Sequence, residues 1–263
     1  LAMAEDKDDI QLLSEDDLIL TYNEPQTTSK RKAFCITAAI AVPLIIASII
    51  AVSVCIGDKS CFHHTAIKKP LVILVSLDGY RWEYLQNDTL PHPVLSKLAK
   101  EGFSAPLKSI FPTKTFPNHY TIATGLYAES HGIVANAFYD PIFDASFKYS
   151  APIATEPRWW GGHPLWNVVQ DFGIKSGCFF WPGSDIEING RYPNFWVKFD
   201  SSIPMKERID TIIKWLTGDV DERPQFVTLY FSKVDSYGHE FGPEAPEMPE
   251  AIAYVDDALQ YLI

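Results

Sequence analysis

The residues best suited to catalytic chemistry lie in the stretch 111–125, where a threonine hydroxyl precedes a predicted helix. Thr115 follows Lys114, Pro117 suits the first helical position, and Gly125 can end the helix. A helix N-terminus favours an anion such as phosphate, and metal coordination can turn a threonine into a nucleophile. The alternative is that Thr115 is only a helix-capping hydroxyl, and this stretch alone leaves both interpretations open.

Two acidic side chains follow apolar runs that are typical of buried strands. Asp78 comes directly after the run 71–77, and Asp235 comes shortly after the run 225–231, with His239 four residues further on. Ligands bind at the carboxyl ends of parallel strands, and carboxylate oxygens and imidazole nitrogens are zinc ligands. We therefore expect a metal site, although a single acid at a strand end is commonly a helix cap or a loop charge.

The elements that would position these residues alternate between strand and helix. Apolar positions at helical spacing predict three helices, and a further short apolar run predicts a strand before a turn. Strands that alternate with helices favour an α/β sandwich around a mostly parallel sheet. The predicted helices cover 91–102, 165–172 and 205–216, and the further strand covers 177–181.

The composition narrows the class of function. The 263 residues are 47% hydrophobic and carry a net charge of −11, which is enough apolar material for a large α/β domain. A strongly acidic chain is not expected to coat nucleic acid. A small anionic ligand would need a local positive centre, and metal ions are the obvious source.

The N-terminal region predicts a membrane anchor. Residues 1–32 are polar and acidic, which favours a disordered tail, and a basic cluster at 30–32 then precedes the uncharged apolar run 33–56. This run is long enough to cross a bilayer, whereas a cleaved signal peptide has a shorter apolar core and a buried helix would have a polar face. The basic side would be cytoplasmic, giving a single-pass type II membrane protein with a stalk at 57–67 and a lumenal or extracellular catalytic domain from 68 to 263.

Several other residues carry weaker signals. The sequon that begins at Asn87 predicts glycosylation on the lumenal side of the membrane. Cys61 and Cys178 lie on that same oxidising side and could pair with each other or with other cysteines. His119 is expected to pack on the helix behind Thr115. It has no Asp or Glu partner at a predicted strand end.

Five motifs, in this order and spacing, resemble those of the ectonucleotide pyrophosphatase/phosphodiesterase family of the alkaline phosphatase superfamily. The resemblance covers about residues 70–263 and implies an alkaline-phosphatase-like fold, incomplete here, behind a type II anchor. The motifs are Leu77-Asp78-Gly79-Tyr80-Arg81, residues 111–119, residues 129–133 with Asn136, residues 180–185, and residues 235–243.

The resemblance implies two zinc ions and a covalent mechanism. Asp78 and Thr115 would hold one zinc ion, and Asp235 and His239 would hold the other. Two metals can clamp the attacking and the leaving oxygens of an in-line displacement. Thr115 would attack phosphorus and form a threonyl-phosphoryl intermediate, while Asn136 and the Thr115 backbone N–H would hold a phosphate oxygen.

The resemblance also implies a nucleotide substrate. Phe116 and Phe199 match positions that sandwich a nucleobase, and Lys114, Trp181 and Asp185 match the pocket wall. Ordinary core packing is the alternative explanation for Phe199 and Trp181. The expected reaction converts nucleoside triphosphates, dinucleotides and nucleotide phosphodiesters to 5′-monophosphates. The alternatives are a lysophospholipid or choline phosphodiesterase on the same fold, and a catalytically dead membrane-anchored binding protein.

One departure from the family pattern affects the metal site. The family completes its site with an Asp-His pair and a further histidine, all downstream of Asp235, whereas no histidine follows His239 in this chain. Each zinc ion would keep two protein ligands here, and catalytic zinc usually has three. We therefore expect this chain alone to bind zinc weakly and to hydrolyse little.

Overall fold

A computed structural model describes residues 70–263 as an α/β fold around a parallel sheet. The sheet has four strands in the order β1-β6-β4-β5, and every pair in it is parallel. A separate antiparallel hairpin pairs β2 with β3. The strands are Val72–Leu77 (β1), Ala137–Asp140 (β2), Ala145–Lys148 (β3), Ser176–Phe179 (β4), Phe195–Val197 (β5) and Phe226–Phe231 (β6). The expected α/β class with a mostly parallel sheet is confirmed.

Helices alternate with strands along much of the chain, as the sequence pattern predicts, although none lies between β2 and β3 or between β4 and β5. The α-helices are Pro93–Glu101 (α1), Thr115–Thr124 (α2), Ala128–His131 (α3), Leu165–Asp171 (α4), Met205–Leu216 (α5), Lys233–Phe241 (α6) and Met248–Leu262 (α7). Short 3-10 turns lie at Trp82–Gln86, Pro152–Thr155 and Pro157–Trp159. The amphipathic helix predicted at 205–216 has the predicted boundaries.

Helices cover both faces of the sheet. Cys178 and Phe179 are consecutive residues of β4 and belong to different apolar clusters, because successive strand residues point to opposite faces. On the Phe179 side, α5 and α7 contribute Ile209 and Ile252 to one cluster. On the Cys178 side, a second cluster rich in tryptophan includes Tyr120 of α2 and Trp166 of α4. The sandwich layers expected from the sequence are therefore present in the described region.

The two strands that lead to the predicted acids differ in burial. Every residue of β6 is buried, because this strand lies between β1 and β4. The residues of β1 are only half-buried or exposed, so the expectation that 71–77 is buried on both faces is wrong for this strand. The reason is its place at the edge of the sheet within residues 70–263. An exposed extended stretch, 103–109, also follows α1.

Local backbone chemistry explains where one strand ends. The strand predicted at 177–181 stops at Phe179, because Phe180 adopts a positive φ of 66°. This left-handed conformation is unusual for a bulky residue and turns the chain away from the sheet. The turn carries Trp181 and Asp185 into the wall of the cleft described below.

The predictions for residues 1–67 concern a part of the chain that lies outside the described residues. The cytoplasmic tail, the membrane helix at 33–56, the stalk and Cys61 therefore stay predictions. Within residues 70–263, none of the helices is long and apolar enough to cross a membrane. Asn87 is exposed, and its Oδ1 accepts hydrogen bonds from the backbone N–H and the hydroxyl of Thr89. Cys178 is fully buried in β4, and burial raises the pKa of its thiol to about 12.

Candidate active site

Asp78 and Asp235 lie at the same edge of the sheet, as the sequence predicts. Leu77 is paired with Phe231, and the Asp78 N–H donates to the Phe231 carbonyl at 2.9 Å. Gly79 then adopts a φ of +71°, and a Cβ at that position would lie 2.5 Å from the Asp235 Cα. This contact leaves room only for glycine, so the turn after β1 touches the first turn of α6. Burial, followed by the charge of Asp78, raises the pKa of Asp235.

The Asp78 carboxylate is held by a residue that the sequence analysis missed. The Tyr230 hydroxyl, on β6, donates to Asp78 Oδ2 at 2.7 Å. Burial and the neighbouring Asp78 charge raise the pKa of Tyr230 above its usual range, so the tyrosine remains a proton donor. In the sequence, Tyr230 resembles the other residues of a buried apolar strand. Its role as a donor to Asp78 becomes visible only when β6 pairs with β1.

Asp235 and His239 share one face of α6. The sequence analysis placed them after a strand without predicting a helix, whereas the structure puts them one helical turn apart. His239 Nε2 lies 3.5 Å from Asp235 Oδ1. The His239 side chain is 78% exposed. A carboxylate and an imidazole therefore face the same solvent-accessible region from one helix.

Thr115 is the first residue of α2, and Lys114 is its N-cap. The helix thus begins two residues before Pro117, so the prediction of proline at the first helical position is wrong, while the prediction of Thr115 at the helix start is confirmed. Proline is still accommodated because the N–H groups of a first helical turn need no intrahelical partner. Lys114 is exposed and does not line the cleft described below.

Asn136 lies beside the start of α2. Its Oδ1 accepts a hydrogen bond from the Phe116 N–H at 3.0 Å. Because a backbone N–H needs an acceptor, this contact assigns the amide oxygen and leaves the Nδ2 donor group for another partner. The Asn136 carbonyl also accepts the N–H of Tyr149 at 3.0 Å, which places that tyrosine next to the same helix start.

One cleft brings most of the expected residues together. It has a volume of about 760 Å³. Asp78 does not line it directly and lies behind it, linked through Tyr230, which does line it. The predicted site residues that line the cleft are Thr115, Phe116, Asn136, Trp181, Asp185, Phe199, Asp235 and His239.

Aromatic rings form two sides of the cleft. The Phe116 ring packs on Tyr149, with centroids 5.1 Å apart. Phe199 is 50% exposed, and its ring lies 5.2 Å from that of Phe180. Both expected base-stacking residues are therefore accessible from the cleft. Trp181 is only 2% exposed, so core packing explains most of its ring.

Charged side chains also line the cleft, among them Asp185 and Lys198. Burial raises the pKa of Asp185, and the Lys198 ammonium counters part of that rise. The distance between these two charges exceeds that of a salt bridge. Lys198 is the only lysine or arginine among the residues that line the cleft. The sequence analysis did not identify Lys198, since a lone lysine next to an aromatic residue is an ordinary surface pattern.

His119 lies directly beneath the start of α2, as expected. It is 5% exposed, and burial lowers its pKa despite the opposing effect of Asp78. Among the described residues, no group of three or more His, Cys, Asp or Glu side chains is arranged to hold a metal ion.

Known proteins are similar to this chain over most of its described part. Residues 72–263 match the family model of type I phosphodiesterase/nucleotide pyrophosphatase. Ectonucleotide pyrophosphatase/phosphodiesterase family member 1 of Homo sapiens is 44% identical over 209 residues, which are 79% of this chain and 22% of that protein. A venom phosphodiesterase of Macrovipera lebetinus is 42% identical over 210 residues, which are 80% of this chain and 25% of that protein.

A solved structure shares the fold. An inactive variant of murine ectonucleotide pyrophosphatase/phosphodiesterase 5 in complex with AMP gives a TM-score of 0.67 at 36% identity. The match covers 74% of this chain and 51% of that one. The chain therefore spans about a quarter of the curated relatives' length and half of the solved neighbour's. From the match over 72–263, this chain belongs to the type I phosphodiesterase/nucleotide pyrophosphatase family.

Proposed function

We propose that this chain is part of a hydrolase that cleaves phosphodiester and pyrophosphate bonds of nucleotides and releases nucleoside 5′-monophosphates. The proposal rests on one observation. Thr115 at the start of α2, Asp235, His239 and exposed aromatic rings all line the same cleft. The family membership supports the reaction class, and the AMP complex of the structural neighbour supports a nucleotide ligand.

The donor set fits zinc. Asp78 and Thr115 would hold one zinc ion, and Asp235 and His239 would hold the other, with oxygen and imidazole donors of the kind zinc prefers. Burial and the Asp78 charge raise the pKa of Asp235, and this supports a bound cation, because a cation here would offset the unfavourable charge. When bound, zinc would supply Lewis-acid stabilisation of phosphoryl charge and would lower the pKa of the Thr115 hydroxyl.

The reaction would then proceed through two displacements at phosphorus. The Thr115 oxygen attacks phosphorus, the bond from phosphorus to the leaving oxygen breaks, and a phosphodiester between Thr115 and the nucleoside forms. The hydroxyl proton passes to solvent, and solvent protonates the leaving oxygen. Water then cleaves this ester, which restores the hydroxyl and releases the 5′-monophosphate. The free Nδ2 group of Asn136, beside the helix start, would donate to a phosphoryl oxygen, a contribution of about 2.7–4 kcal/mol for a comparable oxyanion donor.

The aromatic sides of the cleft suit a nucleobase. Phe116 and Phe199 would stack on its faces, and Asp185 would accept a hydrogen bond from an N–H of its edge. A choline or lysophospholipid headgroup is the competing ligand, since aromatic rings also bind quaternary ammonium ions. The membrane run at 33–56 would place this domain outside the cell or in a lumen.

The test compares two chromogenic phosphodiesters on the purified chain with added zinc. The p-nitrophenyl ester of thymidine 5′-monophosphate should be hydrolysed slowly, and p-nitrophenyl phosphocholine should be hydrolysed less. Thr115→Ala should lower the rate of hydrolysis by at least about 1000-fold, because loss of a covalent nucleophile has effects of this size or larger. Thr113→Ala, an exposed hydroxyl two residues away, is the matched control and should leave the rate unchanged.

Two results would contradict the proposal. Faster turnover of the choline ester would favour the lipid-type activity. A Thr115→Ala protein as active as the Thr113→Ala control would exclude the covalent mechanism. Because turnover is expected to be low, AMP binding followed by NMR provides a second measurement, and absence of binding would overturn the nucleotide assignment.

A further inference from the structure

His119 is a buried side chain that contacts the backbone of Thr115. Its Nδ1 lies 2.7 Å from the Thr115 carbonyl oxygen. Its Nε2 lies 2.7 Å from the hydroxyl of Ser76, which is a β1 residue two positions before Asp78. One imidazole ring therefore connects the helix that begins with Thr115 to the strand that ends before Asp78.

These two contacts determine the tautomer. A carbonyl oxygen only accepts hydrogen bonds, so the proton must be on Nδ1, which donates to Thr115. Nε2 is then an acceptor, and the Ser76 hydroxyl is its donor. Both ring nitrogens are thus engaged with protein groups, and neither is available to take a proton from the Thr115 hydroxyl.

The ring is also held in place on its sides. The Trp181 ring packs edge-on at 5.3 Å, and the Tyr230 ring packs edge-on at 5.1 Å. The Trp181 indole N–H donates to the His119 carbonyl at 3.1 Å. Tyr230 in turn donates to Asp78. Rotation of the imidazole would break two hydrogen bonds and two aromatic contacts, so its orientation is well defined.

We propose that His119 is a positioning residue for the nucleophile, which keeps the first turn of α2 in register with β1 through Ser76. This inference rests on the proposed function, since it assigns His119 a role relative to Thr115 and Asp78. It also excludes the role that a buried histidine next to a nucleophile would first suggest, namely general base. Thr115 and Asp78 belong to different elements, and the Ser76–His119–Thr115 connection is the side-chain link between those elements.

The first test measures the tautomer on the unmodified chain. Nitrogen-15 NMR of labelled histidine should show His119 with a protonated Nδ1 and an unprotonated Nε2. Ser76→Ala should change the Nε2 signal while Nδ1 stays protonated. An unprotonated Nδ1 in the unmodified chain would overturn the proposal, because the ring could not then donate to the Thr115 carbonyl.

The second test separates positioning from stability. His119→Ala should lower kcat by about 10- to 100-fold, the effect of a small misplacement of a reacting group, with KM changed less than kcat. His119→Asn, whose amide N–H replaces the Nδ1 donor, should recover most of the rate. His131→Asn is the control, because His131 is also fully buried and hydrogen-bonded, to Thr121 and Ile133, but does not touch Thr115.

The outcomes distinguish this proposal from the proposed function. If His119 and His131 variants lose activity only in proportion to their lower melting temperatures, His119 is merely structural and the positioning role is wrong. If no variant and no unmodified chain shows turnover or AMP binding, the proposed function fails, while the NMR measurement still reports whether the Thr115 bond exists.

Discussion

The two halves of the candidate site are built differently. On one side, Thr115 and Asp78 are connected to buried groups: His119 binds the Thr115 carbonyl, and Tyr230 binds the Asp78 carboxylate. On the other side, Asp235 and His239 depend on the helical turn they share, and His239 is 78% exposed. The difference indicates a nucleophile half that the described fold holds in advance and a second half that is open to solvent.

The comparison has a physical reason. The Thr115 half is assembled from β1, α2 and β6, so cross-element hydrogen bonds are needed to keep its parts together. The Asp235 half comes from one helix, and an i,i+4 pair is arranged by the helix itself. A nucleophile must also be placed accurately, because catalysis depends steeply on the distance between the reacting atoms.

The largest expected effect comes from the contact between the halves. Gly79→Ala should destabilise the chain by about 1–2 kcal/mol for the left-handed conformation and by about 1–3 kcal/mol more for the clash with Asp235. Gly173→Ala is the matched control, since Gly173 has a φ of +69° and nothing within 4 Å of an added Cβ. Urea unfolding would measure both, and equal losses would mean that the halves do not constrain each other.

A smaller effect is expected from the buried hydrogen bond of the nucleophile half. Tyr230→Phe keeps the ring but removes the donor to Asp78, which should cost about 1.5–3 kcal/mol and weaken zinc binding by about 10- to 100-fold. Tyr237→Phe and His239→Ala remove polar contacts of α6 that are exposed to solvent, so each should change stability by less than about 0.5 kcal/mol. Denaturation and calorimetry with zinc would provide the values.

Similar losses of stability for Tyr230→Phe and His239→Ala would remove the distinction between the two halves. A loss of zinc affinity for Tyr230→Phe without a loss of stability would keep the distinction but assign the hydrogen bond to metal binding alone.

The smallest effect concerns Asp185, a half-buried carboxyl in the wall of the cleft. Burial raises the pKa of Asp185, so the folded state keeps a proton that the unfolded state has released. Its contribution to stability is therefore lost as pH rises from about 4 through the raised pKa and stays lost above it. Asp185→Asn should be more stable than the unmodified chain at pH 7 and equal to it near pH 3.

The control for this prediction is Lys198→Met. Because the Lys198 ammonium counters the rise in the Asp185 pKa, its removal should enlarge the loss of stability between pH 4 and pH 7. If the pH dependence of the free energy of unfolding is unchanged in both variants, burial does not disfavour the charged form of Asp185. Urea denaturation across this pH range is the measurement.

The chemistry-bearing residues were largely predictable, and their supports were not. Asp78 and Asp235 follow long apolar runs, so their placement at one sheet edge follows from the rule for parallel strands. The start of α2 at Thr115 was predicted from Pro117, although the exact first residue was not. The helix that joins Asp235 to His239 was missed. Val234, Tyr237 and Phe241 recur at helical spacing, but Gly238 in the interior of the segment disfavours a helix.

The supporting residues have no local signal. Tyr230 is a buried strand residue, and its neighbour Asp78 is 152 positions away in the chain. Phe180 turns the chain with a positive φ that its residue type disfavours, so only packing around it decides this conformation. Lys198 lines the cleft because β5 runs beside β4, which the sequence of β5 does not specify.

The sequence by itself determined the α/β class, the residues that can carry chemistry and their place at strand and helix ends, because these depend on periodicity and on neighbours in the chain. The tertiary structure alone decided which groups hold them, namely His119 with Ser76, Tyr230 with Asp78, and Gly79 against Asp235. Such contacts join residues far apart in sequence, and their free energy appears only when the packed elements exclude water and bring the partners within hydrogen-bond distance.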